Sequence, residues 1–159
     1  MNYDMIEKHE LLMQEALAQA RLAGELGDVP IGAVVARDDE IIALAHNRRI
    51  IDADPTAHAE MLAIRAAAAK VGDWRLCGCT IVVTLEPCCM CAGAIVLARI
   101  DKLIYGAADR KAGAVDSLHN LCTDPRLNHR VEVVSGVLAQ PCGRLLSSFF
   151  QAQRMKGKK

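Results

Sequence analysis

The chain has few aromatic side chains, no long apolar run and no acid near its C-terminal end. Aromatic residues make up only 3% of the 159 residues, so the core must be built mainly from Ala, Val, Ile and Leu. No apolar stretch reaches the roughly 18 residues that a membrane-spanning helix needs. The first ten residues contain three acids, whereas a signal peptide begins with a basic and then an apolar segment. We therefore expect a cytoplasmic protein with no membrane segment.

The length and the cysteines narrow the class of protein further. A chain of 159 residues without an internal repeat, a low-complexity segment or a linker is expected to form a single domain over residues 1–159. Its seven cysteines are odd in number and concentrated in the middle of the sequence, which is a poor framework for disulfides. In a reducing compartment such a cluster indicates metal binding or catalysis.

The charge is balanced overall but unevenly placed. The 19 basic and 19 acidic residues cancel, yet residues 133–159 contain no acid and five basic residues: Arg144, Arg154, Lys156, Lys158 and Lys159. A basic end on a neutral protein is typical of a nucleic-acid contact. It is also typical of a solvated helix end, where cations suit the helix dipole. Charge alone leaves both interpretations open.

Helical and strand-like patterns alternate along the sequence. Asp38-Asp39 indicates a hairpin between the first two strands, and 109–125 is expected to be a loop with a helical turn near Ser117. Strands separated by helices favour a mixed sheet with helices on both faces. The predicted fold is therefore an α/β protein, a three-layer α/β/α sandwich around a five-stranded mixed sheet. We predict helices over 5–23, 56–72, 88–98 and 141–154, and strands over 31–36, 40–45, 80–85, 102–105 and 131–137.

Two short motifs carry the chemistry. Cys88 and Cys91 follow Pro87 at the start of a predicted helix, where their spacing places both thiols on one face and the helix dipole favours thiolate. Thiolates bind zinc, but a lone Cys-x-x-Cys also occurs in redox pairs and in halves of structural zinc sites. His58 would add a third ligand. Three protein ligands leave the position for water that catalytic zinc sites keep.

Glu60 lies two residues after His58, where its carboxylate does not share the ligand direction of the imidazole. A carboxylate beside an open zinc site is suited to take a proton from water and to pass it on. We therefore predict one zinc ion per subunit, held by His58, Cys88 and Cys91, with Glu60 as the catalytic proton carrier. Cys89 is turned about 100° from Cys88 on a helix and is not expected to bind the metal.

His-x-Glu followed by Pro-Cys-x-x-Cys is the signature of zinc-dependent nucleobase deaminases. Beyond this signature, the chain resembles the bacterial tRNA adenosine deaminase family over nearly its whole length. The zinc motif is shared with cytidine, cytosine and guanine deaminases, whereas the later matching stretches are more specific to the tRNA enzymes. The stretches that carry the resemblance are 29–34, 54–60, 84–88, 90–95, 105–107, Lys111 with Gly113 and Ala114, 128–131 and 149–150.

The resemblance implies a cytidine-deaminase-like fold, a homodimer and a tRNA anticodon stem-loop as the substrate. Members of the family convert the wobble adenosine to inosine, with zinc activating a water for attack on carbon 6 of the flipped base. The resemblance also implies that Glu60 deprotonates the water, and then protonates the ring nitrogen and the amine that leaves as ammonia.

The resemblance further assigns four residues to substrate binding. Asn47 matches the position that hydrogen-bonds the target purine, and Val29 and Pro30 match the wall of the pocket. Asp109 lies in the loop that contacts the ribose and backbone of the flipped nucleotide. Considered without the resemblance, Asn47 also fits a turn after the strand that ends near His46, and Asp109 fits an ordinary loop acid.

Contacts to the rest of the RNA are expected along the second half of the chain. In the family the last helix lies beside the anticodon stem-loop, so its cations would meet phosphates and make binding depend on salt. Asn128 and His129 could equally cap or turn the chain, and Phe149 and Phe150 could equally pack on the core. The expected RNA-contact residues are Lys111, Asn128, His129, Phe149, Arg154 and Lys156, followed by Lys158 and Lys159.

Two alternatives stand beside this interpretation. A deaminase of a free base or nucleoside, of the guanine or cytosine type, would share the zinc motif. Such an enzyme has no need of the basic C-terminal helix or of the loop at 105–114. A zinc-binding module without enzymatic activity would not need Glu60 beside a three-ligand site.

Overall fold

Residues 2–157, which the computed structural model describes, alternate between helices and strands along the chain. A short 3-10 helix, Leu121–Thr123, lies in the loop between the last two strands. In order, the elements are α1 (Tyr3–Glu25), β1 (Gly32–Arg37), β2 (Glu40–His46), α2 (Ala59–Val71), β3 (Cys79–Leu85), α3 (Cys89–Leu97), β4 (Lys102–Ala107), β5 (Glu132–Val134) and α4 (Ala139–Met155).

The five strands form one mixed sheet in the order β2-β1-β3-β4-β5. β1 runs antiparallel to both β2 and β3, whereas β3, β4 and β5 run parallel to one another. The β1–β2 hairpin turns at Asp38 and Asp39, whose φ angles of 51° and 64° suit a tight turn of the I′ type. Leu85 pairs with Ala107, so the segments that follow β3 and β4 leave the sheet at the same edge.

Helices cover both faces of the sheet. Met13 and Ala16 of α1 and Cys142 of α4 pack against Val34 and the same-facing residues of β3 and β4. The other face carries α2 and α3, whose small apolar residues pack against neighbours such as Val35. The opposite orientation of Val34 and Val35 follows from the two-residue period of a strand. The predicted three-layer sandwich is confirmed.

α1 lies unusually close to β1 at Gly32. A Cβ at this glycine would overlap the carbonyl oxygen of Ala16 and would lie 2.6 Å from the backbone nitrogen of Ala20. Both alanines are fully buried. The small residues on the two elements therefore allow the helix and strand backbones to approach each other directly.

The observed boundaries differ from the predicted ones in the second half of the chain. β4 continues through Gly106, where the sequence placed its end, because a Cβ there would overlap the Cys142 sulfur and the glycine leaves that space to α4. β5 has only three residues and ends before Gly136, whose φ is 77°. The 3-10 helix begins at Leu121, a few residues after the turn predicted near Ser117.

None of the helices within residues 2–157 combines the length and the apolar character that a membrane crossing requires.

Candidate active site

The starts of two helices bring the three predicted metal ligands together. His58 is the N-cap of α2, and Cys88 is the N-cap of α3. Cys91 lies in the first turn of α3 and is fully buried. His58 Nδ1 is 3.6 Å from Cys88 Sγ and 3.6 Å from Cys91 Sγ. All three donor atoms lie within 4.8 Å of one another, so this group could hold a metal ion.

The spacing of these atoms fits a tetrahedral zinc site. Bonds of about 2.3 Å to sulfur and 2.0–2.1 Å to nitrogen, at a tetrahedral angle, separate the nitrogen and sulfur atoms by about 3.6 Å. Contact with Cys91 lowers the pKa of Cys88 to about 3, and the same contact raises the pKa of Cys91. Contact with Cys88 raises the pKa of His58. A metal cation would bind these three groups in exchange for their protons.

A cavity of about 650 Å³ opens beside these groups and is large enough for a nucleoside. Glu60, the second residue of α2, lines this cavity but is only 4% exposed. Burial raises the pKa of Glu60 because its ionised form loses hydration. A raised pKa brings a carboxyl group closer to the working pH of an enzyme, which favours its use as both acceptor and donor of a proton.

Proteins of similar sequence identify the family. The sequence profile of the MafB19-like deaminase family matches residues 7–154. The chain is 53% identical to the tRNA-specific adenosine deaminase of Bacillus subtilis over 149 residues, which cover 94% of this chain and 92% of that protein. It is 46% identical to the protein of the same name from Haemophilus influenzae, over 96% of this chain and 88% of that one. The chain belongs to the tRNA-specific adenosine deaminase family. The resemblance predicted from the sequence is confirmed.

Solved structures of two kinds of deaminase share the fold. One comes from a study of A-to-I editing by tRNA:A34 deaminases at the wobble position of transfer RNA. It superposes with a TM-score of 0.82 at 46% identity and covers 85% of this chain and 98% of that one. The guanine deaminase from Nitrosomonas europaea has a TM-score of 0.72 at 25% identity and covers 88% of this chain and 83% of that one. The fold is thus common to both kinds of deaminase.

Most of the residues that sequence reasoning assigned to the chemistry of this deaminase line one cavity. Cys91 lies next to the cavity through its contact with His58, and Pro30 is buried beside Val29. The predicted residues that line the cavity are Val29, Asn47, His58, Glu60, Cys88, Asp109, Lys111 and Arg154.

Other predicted contacts are not part of the cavity wall. His129 Nε2 lies 2.7 Å from the carbonyl oxygen of Ile100, a contact that holds the loop before β5 to the turn between α3 and β4. Phe149 is partly buried and packs edge-on against Phe150 at 5.6 Å, and it is Phe150 that lines the cavity. Asn128 and Lys156 do not line it. Lys158 and Lys159 lie outside the described residues.

A buried glutamate that sequence reasoning missed holds one side of the cavity in place. The Glu86 carboxylate accepts hydrogen bonds from the backbone amides of Asp109, Val115, Asp116 and Ser117, and from the Ser117 hydroxyl. Burial by itself would raise the pKa of Glu86, but the Ser117 hydroxyl and the backbone amides lower it to about 2. We call residues 109–117 the Glu86 loop.

The Glu86 loop packs tightly around this carboxylate. A Cβ at Gly113 would overlap the Glu86 carboxyl group, so only glycine fits there without a shift. Asp109 Oδ1 accepts from the amides of Lys111 and Ala112, which closes the turn that borders the cavity. The sequence signal for this arrangement was an acid between an apolar strand and a proline, followed later by a loop containing glycine.

Three cationic residues line the cavity from three different elements. Arg49 comes from the turn after β2, Lys111 from the Glu86 loop and Arg154 from the last turn of α4. Arg49 was not predicted, because nothing in its local sequence distinguishes it from Arg48, which pairs with Asp52 at 2.9 Å. Cations at these three positions are suited to the phosphates of a substrate.

Proposed function

We propose that this chain hydrolyses adenosine to inosine at the wobble position of tRNA. The observation that carries the proposal is one cavity that combines the His58–Cys88–Cys91 donor group with a buried Glu60 of raised pKa. Relatives named tRNA-specific adenosine deaminase, at 46% and 53% identity over nearly the whole chain, support the same reaction.

We propose zinc as the metal of this site, one ion in each subunit, held by His58, Cys88 and Cys91. Two thiolates and an imidazole nitrogen suit zinc, and their spacing fits its bond lengths. When bound, zinc supplies a Lewis acid that lowers the pKa of water and makes it a nucleophile near neutral pH. Cys89 is exposed and does not belong to the donor group, in agreement with a bystander role.

Glu60 moves the protons in this proposal. Its carboxylate takes a proton from the attacking water as the oxygen forms a bond to carbon 6, and it delivers that proton to ring nitrogen N1. It then transfers the second proton of the water to the amine, and the carbon–nitrogen bond breaks to release ammonia. The burial that raises the pKa of Glu60 favours each return of a proton to the substrate.

The remaining residues bind the nucleotide. We propose that Val29 and Pro30 form the wall beside the base, that Asn47 hydrogen-bonds the purine, and that Asp109 contacts the ribose and backbone. Asn47 is only 3% exposed, lines the cavity and has an Oδ1 atom without a hydrogen-bond partner among the described residues, which supports its assignment.

The cations at the cavity favour a nucleic acid over a free base. Arg49, Lys111 and Arg154 have no partner in guanine or cytosine, whereas the phosphates of an anticodon loop supply one for each. We propose contacts of Asn128, His129, Phe149 and Lys156 with the stem as an extension of this surface. We also propose a homodimer, and a location in the cytoplasm, where tRNA substrates are found.

The reaction is tested by incubating the zinc-loaded protein with an anticodon stem-loop that carries a wobble adenosine, and separately with guanine, cytosine and cytidine. Inosine formed in the RNA alone supports the proposal, and ammonia from a free base alone contradicts it. Glu60→Gln should lower turnover by a factor of at least about 10³ and leave zinc content unchanged.

The ligand assignment is tested by a matched pair of cysteine variants. Cys88→Ser should lose zinc and activity together because serine is a poor zinc ligand. Cys89→Ser, at the neighbouring position, should retain a full equivalent of zinc by elemental analysis. Equal zinc loss in both variants would show that the ligand set is wrong.

A further inference from the structure

Asp28 is a fully buried acid that belongs neither to the His58–Cys88–Cys91 donor group nor to the proton transfers proposed for Glu60. Its carboxylate accepts four hydrogen bonds. Oδ1 accepts from the amide of Val29 at 2.9 Å and from Asn47 Nδ2 at 3.2 Å. Oδ2 accepts from the amides of Ile50 and Ile51 at 2.8 and 3.0 Å. A buried carboxylate with this many donors is well satisfied and fixed in place.

The contact with Asp28 determines which way the side-chain amide of Asn47 faces. Nδ2 donates to Asp28 Oδ1 and also to the carbonyl oxygen of Val29, at 3.4 Å. A carboxylate and a carbonyl can only accept, so the nitrogen must be on this side and the amide cannot be reversed. Both hydrogens of Nδ2 are therefore used inside the protein.

The other end of the Asn47 amide is left without a partner. Oδ1 is buried and has no hydrogen-bond partner among residues 2–157, although Asn47 lines the cavity. A buried acceptor without a partner is destabilising, and such atoms are retained at functional sites. An occupant of the cavity that carries a donor would satisfy this oxygen, and one that carries an acceptor would be repelled by it.

We propose that Asp28 is a positioning residue that makes Asn47 an obligate hydrogen-bond acceptor, so that the site favours the 6-amino group of adenosine over the 6-oxo group of inosine. This inference rests on the proposed function and deepens it. The base of adenosine has a single N–H donor group, its 6-amino group, and deamination replaces that group by an oxygen. The reaction therefore turns an attractive contact with Asn47 Oδ1 into a repulsive one, which promotes release of the product.

The same carboxylate connects this acceptor to the turn that carries Arg49, one of the three cations at the cavity. Asp28 Oδ2 holds the amides of Ile50 and Ile51, which directly follow Arg49. Val29, Asn47 and Arg49, all of which line the cavity, are thus fixed by one buried group. We call these three residues the Asp28 wall.

The test measures how strongly the protein distinguishes substrate from product. Zinc-loaded protein carrying Glu60→Gln, which prevents turnover, is titrated with two fluorescent stem-loops that differ only in adenosine or inosine at the wobble position. We expect the adenosine stem-loop to bind about tenfold more tightly, the effect of one hydrogen bond replaced by a repulsion. Adding Asp28→Asn allows the amide of Asn47 to turn round, so the ratio of the two dissociation constants should fall to near one.

Two further variants separate positioning from general damage. Asp28→Glu keeps the charge and should restore a preference of several-fold for adenosine. Asn47→Ala should abolish the preference, and in that background Asp28→Asn should have no further effect on the ratio, because Asp28 acts through Asn47. If Asp28 had only a structural role, its substitution would weaken binding of both stem-loops and leave the ratio of their dissociation constants unchanged.

Each outcome either supports or overturns the inference. A tenfold preference that survives Asp28→Asn, or one that survives Asn47→Ala, overturns it. If Asp28→Asn fails to fold, as shown by zinc content and circular dichroism, the ratios measured for Asn47→Ala and Asp28→Glu are sufficient to test it. If the parent enzyme forms no inosine in the stem-loop, the proposed function has failed, which is distinct from a functional enzyme that binds both stem-loops equally.

Discussion

Two buried carboxylates, Asp28 and Glu86, hold different parts of the wall around one cavity. Asp28 joins segments that are far apart in the sequence, since it accepts from Val29, from the side chain of Asn47 and from the turn at Ile50 and Ile51. Glu86 instead holds one continuous segment, the Glu86 loop, and does so almost entirely through backbone amides.

The two carboxylates therefore differ in what they control: Asp28 orients a group that can select a substrate, and Glu86 fixes the shape of a loop. The Asp28 wall ends in the side-chain oxygen of Asn47, which can distinguish a donor from an acceptor. The Glu86 loop is held by its backbone, so Glu86 sets where Asp109 and Lys111 lie but does not select a functional group. We therefore expect substitutions at Glu86 to affect stability and affinity, and substitutions at Asp28 to affect selectivity.

The largest effect on the free energy of unfolding is expected from Glu86→Gln. The amide nitrogen of glutamine would face backbone donors, so several buried amides would lose their acceptor, and the free energy of unfolding should fall by about 3 kcal/mol. Urea unfolding in saturating zinc measures this. The control is Glu132→Gln, because Glu132 is 67% exposed and lies 3.8 Å from Lys102. The free energy of unfolding of this control variant should fall by less than about 0.5 kcal/mol. Similar losses of unfolding free energy in the two variants would contradict a structural role for Glu86.

Gly113→Ala should disturb the same loop by crowding. The new methyl group would overlap the Glu86 carboxyl group, and relief of this overlap should destabilise the protein by about 2 kcal/mol. Gly143→Ala is the matched control within α4, where the nearest neighbour, the Cβ of Ala107, would be at an ordinary 3.9 Å. That variant should be as stable as the parent or slightly more so, given the helix propensity of alanine. A stable Gly113→Ala protein would mean that the loop adjusts easily.

Ser117→Ala removes a single donor from Glu86. The carboxylate keeps its four backbone amides, so a loss of only about 1 kcal/mol is expected. The loss of unfolding free energy in the double variant with Glu86→Gln should be smaller than the sum of the two single losses, because both substitutions break the same contact. Strict additivity in the double variant would contradict a shared hydrogen bond.

The smallest effect is expected on the salt dependence of RNA binding, to which both sides of the cavity contribute a cation. Arg49→Ala on the Asp28 wall and Lys111→Ala on the Glu86 loop should each lower the slope of log affinity against log salt by roughly 0.7, the value for one phosphate of a single strand. Stem-loop titrations at several salt concentrations measure the slope. Arg126→Ala is the control, since Arg126 pairs with Asp124 at 2.7 Å and does not line the cavity. An unchanged slope for Lys111→Ala alone would place the phosphates on the Asp28 wall.

The fold could be predicted because its signals are local. The periodicities of the helices and strands and the Asp38-Asp39 turn are all visible within a few residues. Gly106 was placed at the end of β4 because a glycine usually weakens a strand. Its actual role depends on Cys142, which lies on a helix 36 positions later and occupies the space that a side chain would need.

That the three predicted metal ligands lie beside Glu60 could be predicted for a similar reason, and the groups that hold the walls of the cavity could not. His58, Glu60, Cys88 and Cys91 form a motif in which spacing and residue type together indicate the chemistry. Asp28 has no such motif, because its partners are backbone amides and one side chain that only the folded chain brings together. Among the α4 residues that line the cavity, Arg154 was predicted, whereas Leu146 and Ser147 were missed because packing of the helix against the sheet decides which of its faces meets the cavity.

The His58–Cys88–Cys91 donor group has a consequence for the unfolded chain. Its donors come from the starts of two helices, and His58 and Cys88 are 30 positions apart. An ion that joins them closes a loop of that length, as a disulfide would, and so restricts the conformations that the unfolded chain can reach while it remains bound. A metal ion bound there would also act as a cross-link, and it would tie the start of α2 to the start of α3 through these donor atoms.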